Sequence, residues 1–72
     1  MNQPKVVMIG LGYIGLPTAA LIASNKVMVH GVDINHQVVD TINRGEIHII
    51  EPSLDNAVAS AVAEGYLKAD IE

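Results

Sequence analysis

The chain has 72 residues, half of them hydrophobic, with a formal net charge of −4 and no cysteine. Its four Lys or Arg residues are scattered, which excludes the basic stripe of a nucleic-acid binder, and the lack of thiols excludes a disulfide framework, a cysteine-built zinc site and thiolate chemistry within these residues. No apolar run approaches the roughly 18 residues of a membrane span. The polar opening Met1-Asn2-Gln3-Pro4 is expected to lead straight into a first strand without a leader, so the expected compartment is the cytoplasm.

Residues 5–10 read as the first strand, a near-continuous apolar run of the kind buried on both faces of a parallel sheet. The run feeds into Gly10-Leu11-Gly12-Tyr13-Ile14-Gly15, and a helix is expected to start at Tyr13 or Ile14. Pro17 falls in its first turn, where a missing N–H costs little. Ala19, Ala20 and Ala23 let the helix lie close to the sheet, and Asn25 is the expected left-handed cap at its end. Residues 27–32 read as a second strand, parallel to the first because a helix crosses between them, and ending at Asp33.

Asn35 is placed to cap a second helix over 36–44, with Val38, Val39 and Ile42 as its buried stripe and Gly45 as its stop. Residues 46–52 form an extended connector, too apolar for a free loop and expected to lie over the domain edge. Ser53 is the expected N-cap of a third helix over 54–64, with Leu54, Val58, Ala61 and Val62 inward and Gly65 ending it. Tyr66-Leu67-Lys68-Ala69 then begins either another strand or a closing turn.

A strand, a G-x-G-x-x-G turn, a helix and a second strand ending in an acid form the dinucleotide-binding fingerprint. Gly10 permits the tight turn, Gly12 has no Cβ to block phosphates, and Gly15 lets helix and strand close together. Tyr13 and Ile14 are expected to contribute backbone N–H groups, which together with the helix dipole favour a pyrophosphate. The Tyr13 ring either shields the site or packs. Asp33 is expected to accept hydrogen bonds from the adenosine ribose and to repel a 2′-phosphate, so the expected cofactor is NAD. His30, His36 and His48 lack metal-ligand spacing, and no metal is expected. Glu51 and Asp55 read as capping and solvated acids, and Arg44 as support for its helix end. The expected fold is therefore α/β, the N-terminal half of a doubly wound, parallel-sheet Rossmann domain with room for only one βαβαβ unit.

Two stretches go beyond that fingerprint. Ile9-Gly10-Leu11-Gly12-Tyr13-Ile14-Gly15-Leu16-Pro17-Thr18-Ala19-Ala20, and Gly31-Val32-Asp33-Ile34-Asn35 continuing through Asn43-Arg44-Gly45-Glu46 to Glu51-Pro52, resemble the UDP-glucose/GDP-mannose dehydrogenase family. Ser53 departs from the glycine that many relatives carry. The resemblance implies a sugar-nucleotide 6-dehydrogenase that oxidises a C6 alcohol to a carboxylate with two NAD in turn, for surface polysaccharide. UDP-N-acetylmannosamine is the expected UDP-sugar, with UDP-N-acetylglucosamine and UDP-glucose as alternatives. It carries Gly10, Gly12, Tyr13, Ile14 and Gly15 to the pyrophosphate and Asp33 to the ribose. The family's nucleophile is a cysteine, so no catalytic residue is expected in these 72 residues. They read as a partial NAD-binding domain, with the family's central and UDP-sugar-binding domains lying outside them and the parent expected to be a homo-oligomer without nucleic-acid or membrane partners. A stand-alone NAD- or ADP-binding module without catalysis is the reading from a different class. In the expected strand order 3-2-1-4, a chain without the fourth strand leaves the edge of the first strand bare and prone to self-association.

Overall fold

A computed structural model describes residues 5–72; the expected leaderless entry over residues 1–4 lies outside the described residues. The elements run β1 (Lys5–Ile9), α1 (Gly15–Ser24), β2 (Met28–Val32), α2 (His36–Asn43), α3 (Leu54–Ala63) and β3 (Leu67–Asp70). The strands form one parallel sheet in the order β1-β2-β3, with Ile9 opposite Val32 and Val32 opposite Asp70. The 3-2-1 order and the third strand agree with the half-Rossmann expectation.

The three helices share one face of the sheet. Leu16, Ala19, Ala20 and Ala23 of α1, Val39 and Ile42 of α2, and Leu54, Val58 and Ala61 of α3 meet Val29, Leu67 and Ala69 in a single core. The small side chains of α1 allow it to lie against both the sheet and α3. Asn35 caps α2 as expected, its Oδ1 accepting the N–H groups of Gln37 at 2.9 Å and Val38 at 3.4 Å. Gly45 and Gly65 end their helices with φ of 77° and 82°.

The structure corrects three details. The first strand is not buried on both faces: Val7 is 55% and Ile9 75% exposed, because every helix of the described residues lies on the other side. Asn25 is not left-handed. Its backbone stays at φ −90° while its side-chain NH2 donates to the Leu21 carbonyl at 2.9 Å, and the reversal falls on Lys26 at φ 63°. Ser53 occupies the N-cap position of α3, but its hydroxyl makes no capping bond and its backbone is left-handed at φ 65°. That conformation takes its Oγ out of the extended geometry in which a serine reaches the N2 or N3 amide, and it is where a glycine sits without strain. The connector 46–52 does more than cover an edge. It plugs Ile49, 6% exposed, into the core and leaves Ile50 in solvent.

Candidate functional site

Because the strands are parallel, Ile9, Val32 and Asp70 end on the same side of the sheet, the side at which ligands of open α/β folds gather. There the chain leaves β1 through Gly10, whose φ of 88° suits a residue without Cβ. The Gly10 N–H donates to the Val32 carbonyl at 2.7 Å, so the turn remains attached to β2. Gly15 opens α1 directly above the turn, and a Cβ there would fall onto the Gly10 carbonyl oxygen. Gly12 has neither the positive φ of Gly10 nor the close backbone of Gly15. It is exposed, and a Cβ built on it would meet nothing within 4 Å. The space above Gly12 is open to a ligand, whereas the space at Gly15 is filled by the protein's own backbone.

Helix α1 starts without a side-chain cap and without an acidic residue in its first turn. Leu16 and Thr18 donate to the Gly12 and Ile14 carbonyls at 3.0 Å and 3.2 Å and Pro17 has no N–H, so the amides left for a ligand at this end are those of Tyr13, Ile14 and Gly15, and with the positive end of the dipole they favour an anion. Tyr13 is 72% and Ile14 84% exposed. The Tyr13 ring does not pack into the core, and Tyr13 lines a cleft of about 430 Å³ with Met8, Ile9, Gly10, Gly12, Ile14 and Gly15.

Asp33 lines an adjoining cleft of about 160 Å³ with Ile9, Gly10, Val32 and Ile34. Its carboxylate is held from two sides. Oδ2 accepts the Leu11 N–H at 3.0 Å and Oδ1 accepts the Asn35 N–H at 2.9 Å. The Leu11 bond, then the Asn35 bond, lower its pKa against an opposing desolvation, and the charge of His48 adds a smaller pull in the same direction. The group is thus an ionised acceptor with lone pairs left over, which suits the hydroxyls of a ribose.

The structure brings Gly10, Gly12, Tyr13, Ile14, Gly15 and Asp33 together around these two clefts. It also adds residues that sequence reasoning passed over. Leu11 is fully buried and donates to Asp33, and Gly31 is the residue on which its side chain rests. A lone glycine inside a strand is the signal that could have found them, since it marks a close approach. Ile34, 90% exposed, forms an apolar wall beside Asp33, and the connector brings His48 near enough to act on that carboxylate. His30 stands on the open sheet face, its Nε2 2.8 Å from Asp70 Oδ2. Arg44 turns back toward Glu46 at 3.5 Å and stays at its helix end.

Comparison with known proteins gives this geometry a context. Residues 4–72 match the model of the UDP-glucose/GDP-mannose dehydrogenase family, NAD binding domain. The chain is 64% identical over 70 residues to a UDP-N-acetyl-D-mannosamine dehydrogenase of Campylobacter jejuni, covering 96% of this chain and 17% of that protein. It is 60% identical over 65 residues to an NDP-N-acetyl-D-galactosaminuronic acid dehydrogenase of Ralstonia nicotianae, covering 90% of this chain and 15% of that one. A solved UDP-D-ManNAc dehydrogenase from Pyrococcus horikoshii superposes with a TM-score of 0.90 at 43% identity, over 94% of this chain and 16% of its own. The chain therefore spans about a sixth of the length of the relatives it matches. With the glycine turn, the uncapped helix start and the strand-end carboxylate in one place, the match over nearly every residue shows that the chain belongs to the UDP-glucose/GDP-mannose dehydrogenase family, in the part that binds NAD.

Proposed function

We propose that the chain is the first half of the Rossmann domain of an NAD-dependent UDP-sugar 6-dehydrogenase, and that the intact protein oxidises UDP-N-acetyl-D-mannosamine to its uronic acid. The observation that carries the cofactor half of this reading is the open space above Gly12 beside a doubly hydrogen-bonded Asp33. The 64% identity to a dehydrogenase named for that sugar supports the substrate half.

The residues fit NAD. The amides of Gly12, Tyr13, Ile14 and Gly15 and the α1 dipole hold the pyrophosphate, and Gly10 lets the backbone approach it. The Asp33 carboxylate takes the adenosine ribose hydroxyls and repels a 2′-phosphate, and Ile9 and Ile34 supply apolar walls. NAD supplies a hydride acceptor. None of the described side chains is assigned to the chemical steps, which are placed in the rest of the protein together with the UDP-sugar site.

The test is turnover by the intact protein. UDP-N-acetylmannosamine with NAD is expected to yield two NADH per sugar oxidised, with NADP far poorer. Turnover on a UDP-N-acetylgalactosamine-type sugar instead would move the substrate toward the Ralstonia relative and leave the cofactor reading intact. Preference for NADP would overturn the role given to Asp33.

A further inference from the structure

Asp33 faces two ways. The proposed ribose acceptor spends both its oxygens on backbone amides, and one of those amides belongs to the phosphate turn itself: Leu11, between Gly10 and Gly12, donates to Oδ2 at 3.0 Å. The neighbours of Asp33 hold the same turn. The Val32 carbonyl takes the Gly10 N–H at 2.7 Å. Gly31 gives the fully buried Leu11 side chain its seat, and a Cβ there would lie 2.7 Å and 2.9 Å from the two Leu11 methyls. The last two residues of β2 and Asp33 just beyond them therefore grip two consecutive residues of the turn by a shape contact, a backbone bond and a carboxylate.

From this we propose that Asp33 is a positioning residue for the phosphate cradle as well as the ribose acceptor, so that pyrophosphate affinity depends on its carboxylate even when the ribose offers no hydroxyl. The inference rests on the nucleotide reading of the site given above. The carboxylate is the sole charged part of the grip, and it restrains the turn residue next to Gly12, the position where a ligand must approach most closely. Loss of this restraint frees the Leu11 peptide to rotate, which redirects the amides that follow it. Charge alone predicts the opposite sign: removing an anion from beside a diphosphate tightens binding. Weaker binding of a diphosphate after loss of the carboxylate thus points to positioning.

The test compares ADP with 2′,3′-dideoxy-ADP on the intact protein by titration calorimetry, for wild type, Asp33→Asn and Gly31→Ala. An asparagine accepts with one atom and turns an NH2 toward the other donor, so it cannot hold both amides. Asp33→Asn is expected to weaken dideoxy-ADP about tenfold, the scale of one hydrogen bond to a charged acceptor, and ADP further still. Gly31→Ala, which leaves the carboxylate in place but lifts Leu11, is expected to weaken both ligands by the same factor. Equal or tighter binding of dideoxy-ADP by Asp33→Asn overturns the inference while leaving the ribose role standing. A wild type that binds neither ligand overturns the nucleotide site itself, and the inference falls with it. A measurement without any variant guards against misfolding: in wild type the Leu11 amide proton resonance is expected to move with the titration of the Asp33 carboxyl carbon. A Leu11 amide that ignores that titration overturns the proposal.

Discussion

At the residue scale the three glycines of the turn are not equivalent, and the difference is measurable. At Gly15 a Cβ would fall onto the Gly10 carbonyl, which is backbone and cannot step aside cheaply. Gly15→Ala is therefore expected to destabilise the fold by about 1–3 kcal/mol, the usual cost of overpacking, and to lower the melting temperature. At Gly12 a Cβ meets open space and no positive φ. Gly12→Ala is expected to leave the melting temperature nearly unchanged, within about 0.5 kcal/mol, yet to weaken NAD binding tenfold or more because the methyl occupies phosphate space. Equal melting losses in the two variants would contradict the assignment. Asp33 adds a pH dependence. Its folded pKa lies below the ordinary aspartate value of 3.8, so its contribution to stability is complete above that value and is lost as the pH falls through the depressed one. The gap in melting temperature between wild type and Asp33→Asn is expected to be widest near neutrality and to shrink below pH 3.8.

At the element scale the helix ends separate what residue type announces from what the backbone decides. Asn35 was legible because an asparagine before an amphipathic run has one common use, and its Oδ1 does take the Gln37 and Val38 amides. Ser53 looked the same in sequence and is not the same in space. The chain arrives at α3 from a connector whose Ile49 is drawn into the core, and it turns the corner by placing Ser53 at φ 65°. The demand comes from tertiary packing, so no local pattern displays it. Two opposite outcomes follow. Asn35→Ala is expected to cost about 1 kcal/mol, the usual value of a lost cap. Ser53→Ala is expected to be near neutral and Ser53→Gly stabilising by up to about 1 kcal/mol, since a glycine removes the left-handed strain. Chemical denaturation of the three variants checks the ranking. Asn43 shows the same limit of sequence reading: its side chain exchanges two hydrogen bonds with Ala69, donating to the carbonyl at 2.8 Å and accepting the N–H at 2.9 Å. It stitches α2 to the outer strand in the manner of a neighbouring strand, across a separation in sequence that periodicity does not reach.

At the scale of the whole molecule, the parallel half-Rossmann unit and the placement of its site were readable because each rests on short-range features: apolar runs, glycines at fixed offsets and an acid at a strand end. What was misread is the environment of β1. Its unbroken apolar run describes a strand covered on both faces, and in these residues the helices cover only one. The run is evidence of a cover that must be supplied by something other than α1, α2 and α3. Val7, Ile9 and Met28 are exposed, and among the described residues β1 pairs with β2 alone. An apolar strand with a free row of backbone donors and acceptors is a template for another chain. The 72-residue chain by itself is therefore expected to self-associate in a concentration-dependent way, visible by sedimentation velocity, and Val7→Lys, which puts a charge on the uncovered face without touching the core, is expected to shift it toward monomer. A monomeric wild-type chain at high concentration would show that the uncovered strand is inert, and the both-faces signature of β1 would then need another explanation.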